Sequence, residues 1–75
     1  MEKMTELREY RKSKGLTRED LALKSGVAKV TIQKLEDGDV NVNDIKLSTL
    51  IKLATALRTK ARNIVDKETA KRLLY

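Results

Sequence analysis

Three glycines, Gly15, Gly26 and Gly38, cut the first half of this chain into short segments, and the apolar spacing inside each segment is helical. Met4, Leu7, Tyr10 and Arg11 share one face of a helix expected from about Lys3 to Lys14, which Gly15 stops by offering a positive φ. Leu16 anchors the turn. Thr17 followed by Asp20 is a shorter, weaker relative of the capping box, which ordinarily has Glu or Gln at the third position. A short helix from Arg18 to Ser25 follows, Gly26 breaks it, and Val27 is apolar in the turn. Lys29 to Glu36 forms a third helix with Ile32 and Leu35 turned inward, ended by Asp37-Gly38-Asp39.

The second half continues in the same manner. Gly38 to Lys46 is polar and reads as a loop with one helical turn near Asn43 to Ile45. Leu47, Leu50, Ile51, Leu53, Ala54 and Leu57 then make a strongly amphipathic fourth helix. Thr59 is placed to cap a fifth helix carrying Ala61, Ile64 and Val65, and Asp66 a last piece with Ala70, Leu73 and Leu74. Val40-Asn41-Val42-Asn43 is the one clear stretch of period two, too short to argue for a sheet. The expected fold class is all-α. Residues 1–65 form the domain, and 66–75 form a basic amphipathic tail that belongs to the same domain or to a dimer contact.

Composition narrows the function. Of 75 residues 40% are apolar, enough for one core but not for a core plus a deep substrate cavity. There is no Cys and no His, so the chain lacks a disulfide framework, a thiol nucleophile, an imidazole base and the usual zinc ligands. No paired carboxylates in a cleft and no phosphate-cradling glycine loop can be assembled, and the three glycines are explained as helix punctuation. We therefore expect no enzyme, no cofactor and no metal. No apolar run is long enough to span a membrane, and Met1-Glu2-Lys3-Met4 lacks the apolar stretch of a signal peptide, so a cytoplasmic location is expected.

The net charge is +6, and its position matters more than its size. Residues 1 to 44 carry nine basic and nine acidic side chains, whereas residues 45 to 75 carry eight and two. Such an excess suits nucleic acid first, an anionic membrane surface second, and a solvated basic face third. The aromatics are only Tyr10 and Tyr75, which disfavours the base stacking of single-strand RNA readers. The tail is also too short and aromatic-poor for a membrane anchor.

The two short helices around Gly26 have the spacing of a helix-turn-helix. Helices that cross at roughly 100° need a small residue at their closest approach, supplied by Ala22, and a turn residue tolerant of positive φ, supplied by Gly26. Buried contacts at set offsets are supplied by Leu21, Val27, Ile32 and Leu35. With the flanking stretches Leu7 to Thr17, Asp20-Leu21-Ala22, Ser25-Gly26-Val27, Thr31 to Gly38, Thr49-Leu50, Lys52-Leu53-Ala54 and Ala56-Leu57, residues 4 to 65 resemble the lambda-repressor-like, Xre/Cro-type helix-turn-helix DNA-binding domains. The resemblance implies a compact bundle of about five helices in which helices 2 and 3 form the motif. It also implies regulation of transcription from operators bound as a dimer.

Carried over by position, the resemblance places the second motif helix in the major groove of double-stranded DNA. Ala28, Lys29, Val30 and Gln33 become candidates for base contact: Gln33 suits adenine N6 and N7, Lys29 guanine O6 or N7, and Val30 or Ala28 a thymine methyl. Thr31 and Lys34 suit phosphate. Arg18 stands where the family commonly has a phosphate-bonded Gln; its alternative is a surface arginine paired with an acidic neighbour. Arg11 and Glu36 match positions of a family salt bridge between the first and third helices. The stretch from Gly38 to Leu50 is longer than the commoner form and lacks its Pro, and Lys46 stands where Ser usually caps. Asn41, Asn43 and Lys46 are candidates for phosphate there. Ile64, Val65, Leu73 and Leu74 can supply the homodimer contact, or Ile64 and Val65 can finish the monomer core. The leading expectation is a sequence-specific transcriptional repressor. The alternative is an antitoxin-like interaction protein that binds a protein partner through its C-terminal third and autoregulates through DNA.

Overall fold

The computed structural model describes residues 4–40 and 44–65, and within them the protein is helical throughout. Its elements are α1 (Thr5–Ser13), α2 (Arg18–Ser25), α3 (Lys29–Asp37), α4 (Leu47–Ala56) and α5 (Ala61–Ile64). Each follows from its apolar spacing. Leu50, Leu53, Ala54 and Leu57 fall on one stripe of α4 and its end, all buried, and they meet Leu21 of α2, Ile32 and Leu35 of α3, Leu7 of α1 and Ile64 of α5 in a single core. α5 closes the bundle by packing on both α1 and α4, while α2 lies between α3 and α4. Leu7, Leu21, Ile32, Leu35, Leu53, Leu57 and Ile64 are essentially inaccessible. Each such side chain contributes roughly 1.5–3 kcal/mol of transfer free energy.

Helix starts and stops are local. Thr17 Oγ1 accepts the Asp20 backbone N–H at 3.0 Å and Asp20 Oδ2 accepts the Thr17 N–H at 2.9 Å, so the box expected to be a weaker relative is complete. The Thr17 N–H bond comes first in holding the Asp20 carboxyl below its usual range. Met4, buried at the start of α1, donates its N–H to the Leu35 carbonyl at 3.1 Å and so ties that start to α3. α1 ends at Ser13, a residue short of the expected Lys14, which is instead its cap. α3 extends one residue past Glu36 to Asp37.

Two helices end in the same way on different residues. At the end of α1, Gly15 donates to Lys12 and Leu16 to Arg11; at the end of α4, Arg58 donates to Thr55 at 3.0 Å and Thr59 to Ala54 at 2.9 Å. Both are the paired bonds of a Schellman stop, which needs a left-handed residue after the cap. Gly15 takes φ 69° without a side-chain penalty, whereas Arg58 takes φ 56° with one. This stop corrects the expected start of α5. Thr59 closes α4, so the cap falls on Lys60 with no side-chain bond, and Thr59 Oγ1 accepts from Asn63 Nδ2 instead. Lys46 likewise caps α4 without a side-chain bond. Asp44 has 3₁₀ geometry; Asn41, Asn43 and the tail 66–75 lie outside the described residues.

Replacing Arg58 by Gly removes the left-handed penalty and is expected to stabilise the fold by roughly 0.5–1 kcal/mol. Thermal unfolding of Arg58→Gly should show a midpoint a few degrees above the wild type, and a lower midpoint would contradict the strained stop.

Candidate nucleic-acid interface

The motif is a pair of short helices whose relative placement depends on one carboxylate. Gly26 turns the chain between α2 and α3 with φ 74°, and Val27, 8% exposed, pins the turn to the core. Ile32 and Leu35 bury the inner face of α3. Glu36 lies one residue further, its side chain fully covered. Arg11 of α1 donates from Nε to Glu36 Oε2 at 2.8 Å and from Nη2 to Oε1 at 3.0 Å. Its remaining Nη1 donates to the Leu16 carbonyl at 2.8 Å. The expected bridge between the first and third helices is present and two-pronged, the geometry at which a guanidinium matches a carboxylate best.

Arg18 joins the same carboxylate. Its Nε donates to Glu36 Oε1 at 3.1 Å and its Nη2 to Asp37 Oδ1 at 3.2 Å, so the start of α2 is tied to the end of α3. Arg18 is ion-paired, as its alternative reading has it, but to carboxylates of α3 distant in sequence rather than to a local acidic neighbour. Arg18 Nη1 has no protein partner among the described residues, and the side chain remains 27% exposed. Glu36 thus accepts three guanidinium bonds. Burial alone would push its carboxyl up, but the hydrogen bonds and charges of Arg11 and Arg18 together outweigh it and hold the group below its ordinary 4.5. The bond to Glu36 in turn raises the Arg11 pKa. Among the described residues no buried side-chain polar atom lacks a partner.

The other face of α3 is largely open to solvent among the described residues. Ala28, Lys29, Val30, Gln33 and Lys34 are all exposed, Thr31 is half-buried, and Val30 is 59% accessible despite being apolar. The expected base-contact residues therefore share one open surface. α3 begins at Ala28 without a side-chain cap and with no acid in its first turn, which leaves its N-terminal N–H groups compatible with an anionic neighbour. Lys46 is exposed at the start of α4. Sequence reasoning missed one contact here: Lys29 Nζ donates to Glu19 Oε1 of α2 at 2.7 Å. The available signal was opposite charges at the starts of two helices that a tight turn brings together. Ile64 and Val65, considered for a two-fold contact, are 0% and 3% exposed and finish the monomer core instead.

A family model described as helix-turn-helix matches residues 7–64. The chain belongs to the helix-turn-helix family. Among solved structures, this helix-turn-helix protein is similar to the restriction-modification controller protein C.AhdI from Aeromonas hydrophila. The two are 39% identical, with a TM-score of 0.70, over 79% of this chain and 85% of that one. No curated protein matches it. Family and neighbour together make the chain a DNA-binding transcriptional regulator of the Xre type rather than an enzyme. Among the described residues no helix is long and apolar enough to cross a membrane.

Removing the shared carboxylate should cost stability, because it leaves two guanidiniums facing an uncharged group. Glu36→Gln is expected to lose on the order of 3 kcal/mol, read as a lower urea midpoint at neutral pH. The pH dependence has a definite sign. A carboxyl held below its ordinary value in the folded protein contributes stability that is complete above that value and is lost as the pH falls through the folded one. The wild type should therefore lose stability below pH 4.5 more steeply than Glu36→Gln, and equal acid slopes would count against the buried pair.

Proposed function

We propose that this helix-turn-helix protein is a sequence-specific transcriptional repressor. It binds a pseudo-palindromic operator as a dimer and lays α3 in the major groove of each half-site. The observation that carries this reading is the division of α3 into a packed face and an open one. Ile32, Leu35 and Glu36 are buried, while Val30, Gln33 and Lys34 are exposed. Gln33 is assigned to adenine, Lys29 to guanine, and Ala28 and Val30 to thymine methyls. Thr31, Lys34, Asn41, Asn43 and Lys46 are assigned to phosphates, with Arg18 offering its remaining Nη1 to a phosphate while Nε and Nη2 stay on Glu36 and Asp37. Similarity to a restriction-modification controller supports an operator beside genes of that kind.

The dimer surface must be sought away from Ile64 and Val65. Ile51 of α4 is 41% exposed and borders a groove of about 380 Å³ that Ala54, Thr55, Thr59 and Ala61 also line, with Lys60 and Arg62 among its lining residues. Ile51, Ala54 and Ala61 give this groove an apolar part able to support a two-fold contact.

Fluorescence anisotropy with duplexes selected from random sequence tests the reading. The wild type should prefer the selected duplex over scrambled DNA by about 10³ or more. Gln33→Ala should lose most of that preference. Lys34→Ala should weaken all duplexes alike and reduce the salt slope by about 1. Indifference of the wild type to sequence would remove the regulator mechanism proposed here. Sedimentation of Ile51→Asp should give a monomer where the wild type dimerises, and an unchanged dimer would move the interface elsewhere.

A further inference from the structure

The ion pair at the start of the reading helix contributes little to holding the fold. Both side chains are open to solvent, Lys29 at 50% and Glu19 at 69%, so their attraction adds little to stability. Their position is what distinguishes them. Glu19 is the second residue of α2 and Lys29 the first of α3, so a carboxylate stands beside the ammonium assigned to a base edge. Near DNA, an acidic side chain is repelled by every phosphate, so its presence on this surface requires a reason.

Resting on the DNA-reading role of α3, we propose that Glu19 is a specificity-determining residue that positions Lys29 for a base and withholds it from phosphate. An ammonium has three N–H donors, and one is engaged by Glu19 Oε1 at 2.7 Å. Two donors remain, which matches the two acceptors, O6 and N7, that guanine presents in the major groove. A guanine edge can therefore be bound without releasing Glu19. A phosphate cannot be approached on the same terms, because its charge meets the Glu19 carboxylate beside the ammonium. Nonspecific binding draws almost entirely on Lys and Arg contacts to phosphate, so Glu19 subtracts one such contact from every wrong site and leaves the guanine contact in place at the right one.

The test is a cycle of the wild type, Glu19→Gln, Lys29→Met and the double variant, each titrated with the selected duplex and with scrambled DNA across a salt series. Glu19→Gln should bind scrambled DNA about three- to tenfold tighter and steepen its salt slope by about 1. Its affinity for the selected duplex should change less, so discrimination falls. In the Lys29→Met background the same substitution should gain much less, because only the repulsion of Glu19 from phosphate is then relieved, whereas a gain as large as in the wild type would be a general effect of charge and would overturn the proposal. Loss of affinity for the selected duplex alone in Glu19→Gln would mean that Glu19 reads a base itself, which also overturns it. A wild type that discriminates while Glu19→Gln matches it in every titration defeats the Glu19 role and leaves DNA reading by α3 intact. A wild type that does not discriminate defeats both.

Discussion

A covered carboxylate that receives three guanidinium bonds has little freedom to move, and Glu36 is such a group. Its two oxygens join α1, through Arg11, to the last turn of α3, and Arg18 brings the start of α2 to the same point. Arg11 extends the connection to the Leu16 carbonyl in the turn between α1 and α2. Burying such a group is costly unless its partners are present, and here both Glu36 oxygens and all three Arg11 guanidinium nitrogens are engaged. The angle between the motif helices is therefore set by directional bonds as well as by Leu21, Val27, Ile32 and Leu35, which pack in many orientations more easily than ions do.

The remaining architecture follows from short helices that are poor structures on their own. Helices of this length are marginal in water, so their ends and their contacts must supply what propensity does not. The Thr17–Asp20 box starts α2, paired backbone bonds stop α1 and α4, and the Met4 N–H to Leu35 carbonyl bond fastens one helix start to another helix end. α5 is a single turn, yet Ala61 and Ile64 are buried in it, and it seals the core between α1 and α4.

Much of this was legible in the residues. The spacing of Leu47, Leu50, Leu53, Ala54 and Leu57 describes α4 because a strong stripe at helical period admits no other reading. Gly15 and Gly26 mark stops because glycine is the ordinary solution to a left-handed turn. The stop after α4 was illegible for the same reason: Arg58 occupies the position without looking like a stop, and Thr59 consequently reads as the next cap. The Arg11–Glu36 bridge was reached only through family resemblance, since nothing in a sequence separation of 25 residues indicates contact. Arg18 shows the limit of residue type as a guide. An arginine at a helix start suits phosphate and carboxylate equally, and only the folded chain puts Glu36 and Asp37 within its reach. Lys29 was singled out from the sequence but its pairing with Glu19 was not, because their meeting depends on how the turn at Gly26 sets the two helix starts.

The division of α3 into two faces bears on how such a protein changes over generations. Val30, Gln33 and Lys34 are exposed, so under the proposed reading substitutions there can bring a new target without first compensating a folding defect. Glu36, three residues beyond Gln33, has no such latitude. Under the proposed reading one helix carries an adaptable address and the pin of the motif on neighbouring strips of its surface, and divergence among descendants of this chain should accumulate on the first before it touches the second.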